Sequence, residues 1–89
     1  MIRKELQICN RLGLHARAAA RFVHVASGFR SRVRVGNGDL EVDGKSILGI
    51  LTLAAVRNAT LRLTCEGADE AQAAEALEAL VLQRFGEEA

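Results

Sequence analysis

Two segments of the chain alternate between apolar and polar side chains, and this pattern limits the fold more than any other feature. In residues 60–66, Leu61, Leu63 and Cys65 alternate with polar residues, and residues 2–8 follow a similar pattern. A period of two is typical of a β-strand that packs one face on a core and leaves the other in water. We therefore expect a sheet that is covered on one side only.

A β-hairpin is predicted in the middle of the chain. Val33 and Val35 alternate with arginines, and a second short apolar run contains Leu40 and Val42. The four residues between them, 36–39, read Gly-Asn-Gly-Asp, and Asn-Gly is a strong signal for a tight hairpin turn. These runs supply a second and a third strand.

Helical periodicity or capping signals mark three further segments. The apolar residues of 16–27 recur at helical spacing, and Ser46 is a suitable N-cap for a short apolar helix from Ile47 to about Leu53. A third helix is predicted from Asp69, as N-cap with Gln72 as capping-box partner, to about Phe85, and Gly86 ends it.

The predicted order is strand, helix, strand, strand, helix, strand, helix. It indicates an α+β fold, with a four-stranded antiparallel sheet and three helices packed on one face. A chain of 89 residues is the size of one domain, so we expect residues 1–89 to form a single domain.

Composition excludes several classes of protein. The longest mainly apolar stretch, residues 47–56, is too short to span a membrane, and no apolar leader follows Met1, so we expect a cytoplasmic protein without membrane insertion. Cys9 and Cys65 lie far apart and have no metal-ligand spacing; we expect free, buried thiols and neither a metal nor a cofactor.

Charge is distributed unevenly although the net charge is only +1. Basic side chains predominate in residues 1–34 and acidic ones from Glu66 onward. This asymmetry suits steering towards a negatively charged partner or ligand, and simple solvated faces are the alternative. Nucleic-acid binding is disfavoured, because the chain has three Phe and neither Trp nor Tyr for base stacking.

His15 is the candidate reactive residue. It follows Gly13 and stands where a turn ends and a helix begins, where unpaired backbone N–H groups and the helix dipole favour a bound phosphate. Arg17 can add charge-assisted hydrogen bonds, and a neutral imidazole is a nucleophile near physiological pH. The residues alone leave open a simple surface or capping role for His15. His24 lies off the apolar face, and we expect it on the surface.

Two motifs resemble a known family. The run Gly-Leu-His-Ala-Arg-Ala-Ala-Ala from Gly13, with Gly-Lys-Ser-Ile-Leu-Gly-Ile-Leu from Gly44, resembles HPr, the histidine-containing phosphocarriers of the bacterial phosphoenolpyruvate-dependent phosphotransferase system. The resemblance covers essentially the whole chain. It implies an open-faced β-sandwich and a monomeric carrier, not an enzyme, that accepts phosphate from enzyme I and passes it to an enzyme IIA protein or domain.

The resemblance also implies roles for individual residues. His15 would be the phosphoacceptor, through its Nδ1 atom, and Arg17 would contact the phosphate and partner proteins. Ser46 matches a position that a serine kinase/phosphorylase modifies in some members. The implied docking residues are Leu14, Ile47, Leu48 and Leu51, with Arg21 and Lys45 standing in for lysines of the family.

Three alternatives stay open. Ala18 replaces a proline of many sugar-transporting members, and this resembles the nitrogen-related branch, so the pathway is either sugar uptake or regulation. Ser46 is explained equally by helix capping. A regulatory interaction module controlled by Ser46 is the other function, although the presence of His15 and Arg17 argues against it.

The helix after Ser46 is apolar all round; we expect Ile50 and Leu53 in the core, and the docking residues Ile47, Leu48 and Leu51 partly exposed.

Overall fold

The computed structural model describes residues 1–87 and has the predicted order of strands and helices. A short 3-10 turn, Arg84–Gly86, follows the last helix. The elements are β1 (Ile2–Gln7), α1 (Ala16–Ser27), β2 (Arg32–Asn37), β3 (Leu40–Asp43), α2 (Ile47–Thr52), β4 (Thr60–Glu66) and α3 (Glu70–Leu82).

The four strands form one antiparallel sheet in the order β1-β4-β2-β3. Leu6 of β1 lies opposite Leu61 of β4, and Val35 of β2 lies opposite Leu63, so buried side chains of neighbouring strands share one face. Polar residues occupy the other face. The prediction of a sheet covered on one side is confirmed.

The three helices cover the apolar face and complete one core, which confirms the α+β open-faced sandwich. Each helix contributes buried side chains to this core, and Phe22 of α1, Ile50 of α2 and Leu77 of α3 are among them. The largest fully buried side chains include Phe22, Phe85, Ile8, Ile50, Leu61, Leu63 and Leu77.

The hairpin between β2 and β3 is confirmed, with its turn one residue later than the Asn-Gly pair. Asn37 pairs with Leu40, so Gly38 and Asp39 are the two loop residues, and Gly38 has a φ of +62°. Asn37 instead extends β2, and its side-chain amide donates to the carbonyl of Leu53 at 3.0 Å. This contact ties the hairpin to the end of α2.

The predicted end of α3 near Phe85 is wrong. The helix ends at Leu82, and both Arg84 and Phe85 have a φ of +56°. This bend buries the Phe85 ring in the core, and the Arg21 guanidinium of α1 donates to the Phe85 carbonyl. Burial of an aromatic side chain outweighs the cost of two left-handed residues. The C-terminal segment is thereby turned back towards the start of α1.

The capping role predicted for Asp69 is also wrong, although Asp69 does stand at the N-cap position of α3. Its side chain makes no capping hydrogen bond. Instead the carboxylate accepts from the backbone N–H groups of Arg30 and Ser31, both at 2.9 Å, and from the Ser31 hydroxyl. The hydrogen bond from the Ser31 hydroxyl, aided by that from Arg30, lowers the pKa of Asp69 to about 2. Asp69 therefore ties α3 to the loop before β2.

The two cysteines are free, as expected, but only one is fully buried. Cys65 lies in the core, where burial and then the charge of Glu70 raise the pKa of its thiol. Cys9 is half-buried and its thiol donates to the Val81 carbonyl at 3.3 Å.

Within residues 1–87, no helix combines the length and the apolar character that a membrane crossing requires.

Asp69→Asn tests the link between α3 and the loop before β2. Since the folded pKa lies below the ordinary 3.8, the ionised carboxylate stabilises the fold above about pH 4. That contribution is lost as the pH falls through about 2. We expect Asp69→Asn to unfold at a lower temperature than the parent chain at pH 7, with the gap closing towards pH 2.

Thermal unfolding followed by circular dichroism over this pH range measures the effect. Asp39→Asn, at an exposed turn position, is the matched control and should leave the pH dependence unchanged. A constant gap between Asp69→Asn and the parent chain at all pH values would contradict the assignment.

Candidate functional site

The N-terminus of α1 is open at the position of His15. His15 is the N-cap residue, with φ −77° and ψ 177°, and its side chain makes no capping hydrogen bond. The first intrahelical bond runs from the Ala19 N–H to the His15 carbonyl at 2.8 Å, so the amides of residues 16–18 have no partner inside the helix. The first turn also contains no acidic residue. This end of the helix can therefore bind an anion.

A tight turn at Gly13 places His15 at the helix start. Gly13 has a φ of +66°, and a Cβ there would lie 2.5 Å from the Ala55 carbonyl oxygen and 2.9 Å from the Val56 Cα. The Leu14 N–H donates to the same carbonyl of Ala55 at 2.9 Å. The turn before His15 is thus pressed against the segment that follows α2, and only glycine fits there.

The His15 ring is held by a residue that the sequence does not predict. Its Nε2 lies 3.0 Å from Oε2 of Glu87, and Oε1 of Glu87 accepts from the side-chain amide of buried Asn10 at 2.8 Å. The hydrogen bond to His15, followed by that from Asn10, lowers the pKa of the Glu87 carboxyl. The sole sequence signal for Glu87 is the acidic character of the C-terminal region.

Arg17 lies in the first turn of α1 and is exposed. Its positive charge is the smallest of the causes that lower the pKa of the Glu87 carboxyl. The structure places the two residues predicted to bind phosphate, His15 and Arg17, together at the start of α1, and it adds Glu87 and Asn10 on the side of the His15 ring.

The two cations predicted for docking, Arg21 and Lys45, both donate hydrogen bonds to backbone carbonyls of this chain. The Arg21 guanidinium binds the Phe85 carbonyl, and the Lys45 ammonium donates to the Phe29 carbonyl at 2.8 Å. Arg21 thus secures the C-terminal turn, and Lys45 secures the loop after α1. Arg21 is nevertheless exposed and Lys45 half-buried, so their role as docking cations stays a prediction.

The short helix α2 divides its apolar side chains as predicted. Leu48 is 78% exposed and Ile47 45% exposed, Leu51 is half-buried, and the core contains Ile50 and Leu53. Ile47, Leu48 and Leu51 form an apolar patch on α2, which packs beside α1.

Leu14 does not belong to the surface of this patch, because its side chain is only 5% exposed. It lies in the core next to the Gly13 turn.

Ser46 caps α2, with its Oγ accepting from the Gly49 N–H at 3.1 Å. His24 is exposed on α1, as predicted. Among residues 1–87, no group of three or more His, Cys, Asp or Glu side chains is placed to hold a metal ion.

Comparison with known proteins identifies the family. A family model described as "PTS HPr component phosphorylation site" matches residues 2–83. The chain belongs to the HPr family. It is 46% identical to the phosphocarrier protein HPr of Neisseria meningitidis over 98% of both chains, and 50% identical to that of Pseudomonas aeruginosa over 93% of both.

The fold of the chain agrees with the sequence relationship. The crystal structure of HPr-C-His from Thermoanaerobacter tengcongensis matches all of both chains with a TM-score of 0.96 and 42% identity. The chain is thus a phosphocarrier of the phosphotransferase system.

Gly13→Ala tests whether the turn before His15 needs glycine for space as well as for backbone conformation. Gly38 is the matched control, because it also has a positive φ, while a Cβ there would meet nothing within 4 Å. We expect Gly38→Ala to lower the free energy of unfolding by about 1–2 kcal/mol, the cost of one left-handed residue. Gly13→Ala should cost more, because the Ala55 carbonyl must also move.

Urea unfolding of the two variants at neutral pH makes the comparison. Equal losses of stability would show that the contact with Ala55 places no constraint on the turn.

Proposed function

We propose that His15 is the phosphoacceptor of this carrier. It takes a phosphoryl group on Nδ1 from phosphorylated enzyme I and passes it to an enzyme IIA protein or domain, in sugar uptake or a regulatory pathway. The observation that carries the proposal is the position of the His15 ring. His15 is the N-cap residue of α1, and its Nε2 atom is hydrogen-bonded to the Glu87 carboxylate. The nitrogen nearer the backbone, Nδ1, is left as the nucleophile.

The transfer is a displacement at phosphorus. The Nδ1 lone pair attacks, the bond from phosphorus to the donor group breaks, and its electron pair stays with the donor. Phosphoryl transfer needs mainly positioning and charge stabilisation. The open amides at the start of α1 and the Arg17 guanidinium supply these to the phosphoryl oxygens. Transfer to the acceptor is the same displacement with His15 as the leaving group.

Partner proteins meet the chain at the apolar patch of Ile47, Leu48 and Leu51. The exposure of Leu48 and Ile47 supports this role, since α2 packs beside the helix that begins at His15. Donor and acceptor must use the same face in turn, so we propose that the chain acts as a monomer in the cytoplasm. It carries phosphate between enzymes and is not itself an enzyme.

His15→Ala and Arg17→Ala test the assignment. With phosphoenolpyruvate and enzyme I, the parent chain should gain one acid-labile, base-stable phosphate, and His15→Ala none. Arg17→Ala should keep the phosphate but acquire it about 10- to 100-fold more slowly, because one charged donor to the phosphoryl group is lost. Radiolabelled phosphate incorporation measures both effects, and His24→Ala is the control on the exposed histidine.

Phosphate uptake by His15→Ala equal to that of the parent chain would refute the proposal. Label that stays on the chain with every enzyme IIA domain tried would favour a regulatory interaction module instead.

Ser46 is proposed as a regulatory position, the target of a serine kinase/phosphorylase. Its hydroxyl lies at the start of α2, next to Ile47 and Leu48. A phosphate at a helix N-terminus is compatible with the helix, so modification would leave α2 folded. Its charge would instead repel an acidic partner surface at the apolar patch.

Ser46→Asp and Ser46→Ala separate capping from charge. Aspartate is a good N-cap, whereas alanine removes the bond to Gly49 and should cost about 1 kcal/mol of stability. We expect Ser46→Asp to keep the parent stability and slow phosphate uptake from enzyme I. Ser46→Ala should be less stable and take up phosphate at the parent rate. Equal uptake rates for Ser46→Asp and the parent chain would refute a regulatory role for charge here.

A further inference from the structure

A chain of hydrogen bonds connects the backbone before α1 to the His15 ring. The Asn10 amide nitrogen, Nδ2, donates to the Gly13 carbonyl and to Oε1 of Glu87, both at 2.8 Å. The other Glu87 oxygen, Oε2, lies 3.0 Å from His15 Nε2. Asn10 is fully buried, and the Glu87 side chain is only 17% exposed. Water therefore competes weakly for these bonds.

The orientation of the Asn10 amide is determined by its two acceptors. The Gly13 carbonyl and the Glu87 carboxylate can only accept, so both must face the amide nitrogen. Rotating the amide by 180° would turn its oxygen, Oδ1, towards two other oxygens. The Gly13 turn thus fixes Asn10, and Asn10 in turn fixes the carboxylate.

The carboxylate next determines which ring nitrogen of His15 carries the proton. The pKa of Glu87 is lowered, so this carboxyl is ionised at neutral pH and has no proton to donate. Nε2 must therefore be the donor in the contact with Oε2. A neutral imidazole has one N–H, so its other nitrogen, Nδ1, carries the lone pair.

We propose that Glu87 is a positioning residue that holds the His15 imidazole as the Nε2–H tautomer, with the Nδ1 lone pair directed at the incoming phosphoryl group. The proposal rests on His15 being the phosphoacceptor. When the Nδ1–phosphorus bond forms and the donor bond breaks, the proton stays on Nε2 and the ring becomes cationic. The carboxylate of Glu87 stabilises that cation, and the reverse step returns the ring to its starting tautomer. Atoms and charge balance without a further reactant.

Glu87→Gln gives the sharpest test, because Asn10 dictates how the new amide must sit. The glutamine oxygen has to face the Asn10 donor, so its NH₂ group faces His15 Nε2. Nε2 must then accept, and the ring proton moves to Nδ1. We therefore expect Glu87→Gln, which replaces one carboxylate oxygen by an NH₂ group, to reverse the tautomer of His15. The proton on Nδ1 would then block the nitrogen that attacks phosphorus.

The experiment measures the tautomer in the phosphate-free full chain by long-range ¹H–¹⁵N correlation spectra. In the parent chain we expect His15 Nε2 to be the protonated nitrogen and Nδ1 the bare one. Glu87→Gln should exchange them, and Glu87→Ala should give a mixture. The matched control is Glu75→Gln, at an exposed position of α3, which should leave His15 unchanged.

Phosphate uptake supplies the second readout. Glu87→Gln should lower the uptake rate at saturating enzyme I at least about tenfold, because the wrong tautomer presents a protonated nitrogen. The enzyme I concentration for half-maximal rate should stay the same, because the apolar patch is untouched. Urea unfolding of both Glu87 variants controls for a loss of folding.

Each outcome decides the question. An unchanged tautomer in Glu87→Gln overturns the proposal whether or not uptake slows, since slower uptake alone indicates a purely structural role. A reversed tautomer with parent uptake rates overturns it too, since the tautomer would then not matter for transfer. The proposed function is tested apart from this, because phosphate uptake by His15→Ala and transfer of label to enzyme IIA domains decide it, and neither depends on the tautomer in Glu87→Gln.

Discussion

The burial of one face of a four-stranded sheet is the constraint on which the rest of the molecule depends. Side chains of β1, β4 and β2 that alternate in sequence converge on the same face, so all three helices must pack there. The segment after β1 and the segment before β4 are then brought together where these two strands adjoin. The Ile8 N–H donates to the Ala59 carbonyl at 2.9 Å, the Asn58 N–H donates to the Ile8 carbonyl at 2.7 Å, and the Leu14 N–H donates to the Ala55 carbonyl at 2.9 Å. The start of α1 is held in place by this neighbouring backbone.

Positive and negative groups lie side by side at the start of α1. The open end of α1 and Arg17 supply positive potential, and the Glu87 carboxylate binds the His15 ring beside them. A carrier must release its phosphate as readily as it accepts it. In the role proposed for His15, a carboxylate on the far nitrogen of the imidazole would suit this need, because it would support the cationic ring without occupying the phosphate position.

Local sequence patterns predict this fold well where one interaction dominates. The alternation of Leu61, Leu63 and Cys65 defines β4, and Ser46 caps α2 as its residue type suggests. Prediction fails where a distant partner competes. Asp69 has the character of a cap, yet two backbone amides and a hydroxyl before β2 offer its carboxylate more hydrogen bonds than its own helix does. Phe85 continues a helical pattern, yet its ring is buried by bending the chain out of the helix.

The sequence by itself determined the element order, the one-sided sheet, the family motifs, and the position of His15 and Arg17 at a helix start, since each depends on residues close together in the chain. Only the tertiary structure decided which side chains serve that site. Arg21 and Lys45 are drawn to carbonyls of distant segments, Leu14 is buried, and Glu87 reaches His15 from 72 residues away. The physical reason is that these contacts join segments far apart in sequence, so they exist only once the helices have packed on the sheet, and the contacts of Arg21 and Glu87 also need the bend at Phe85.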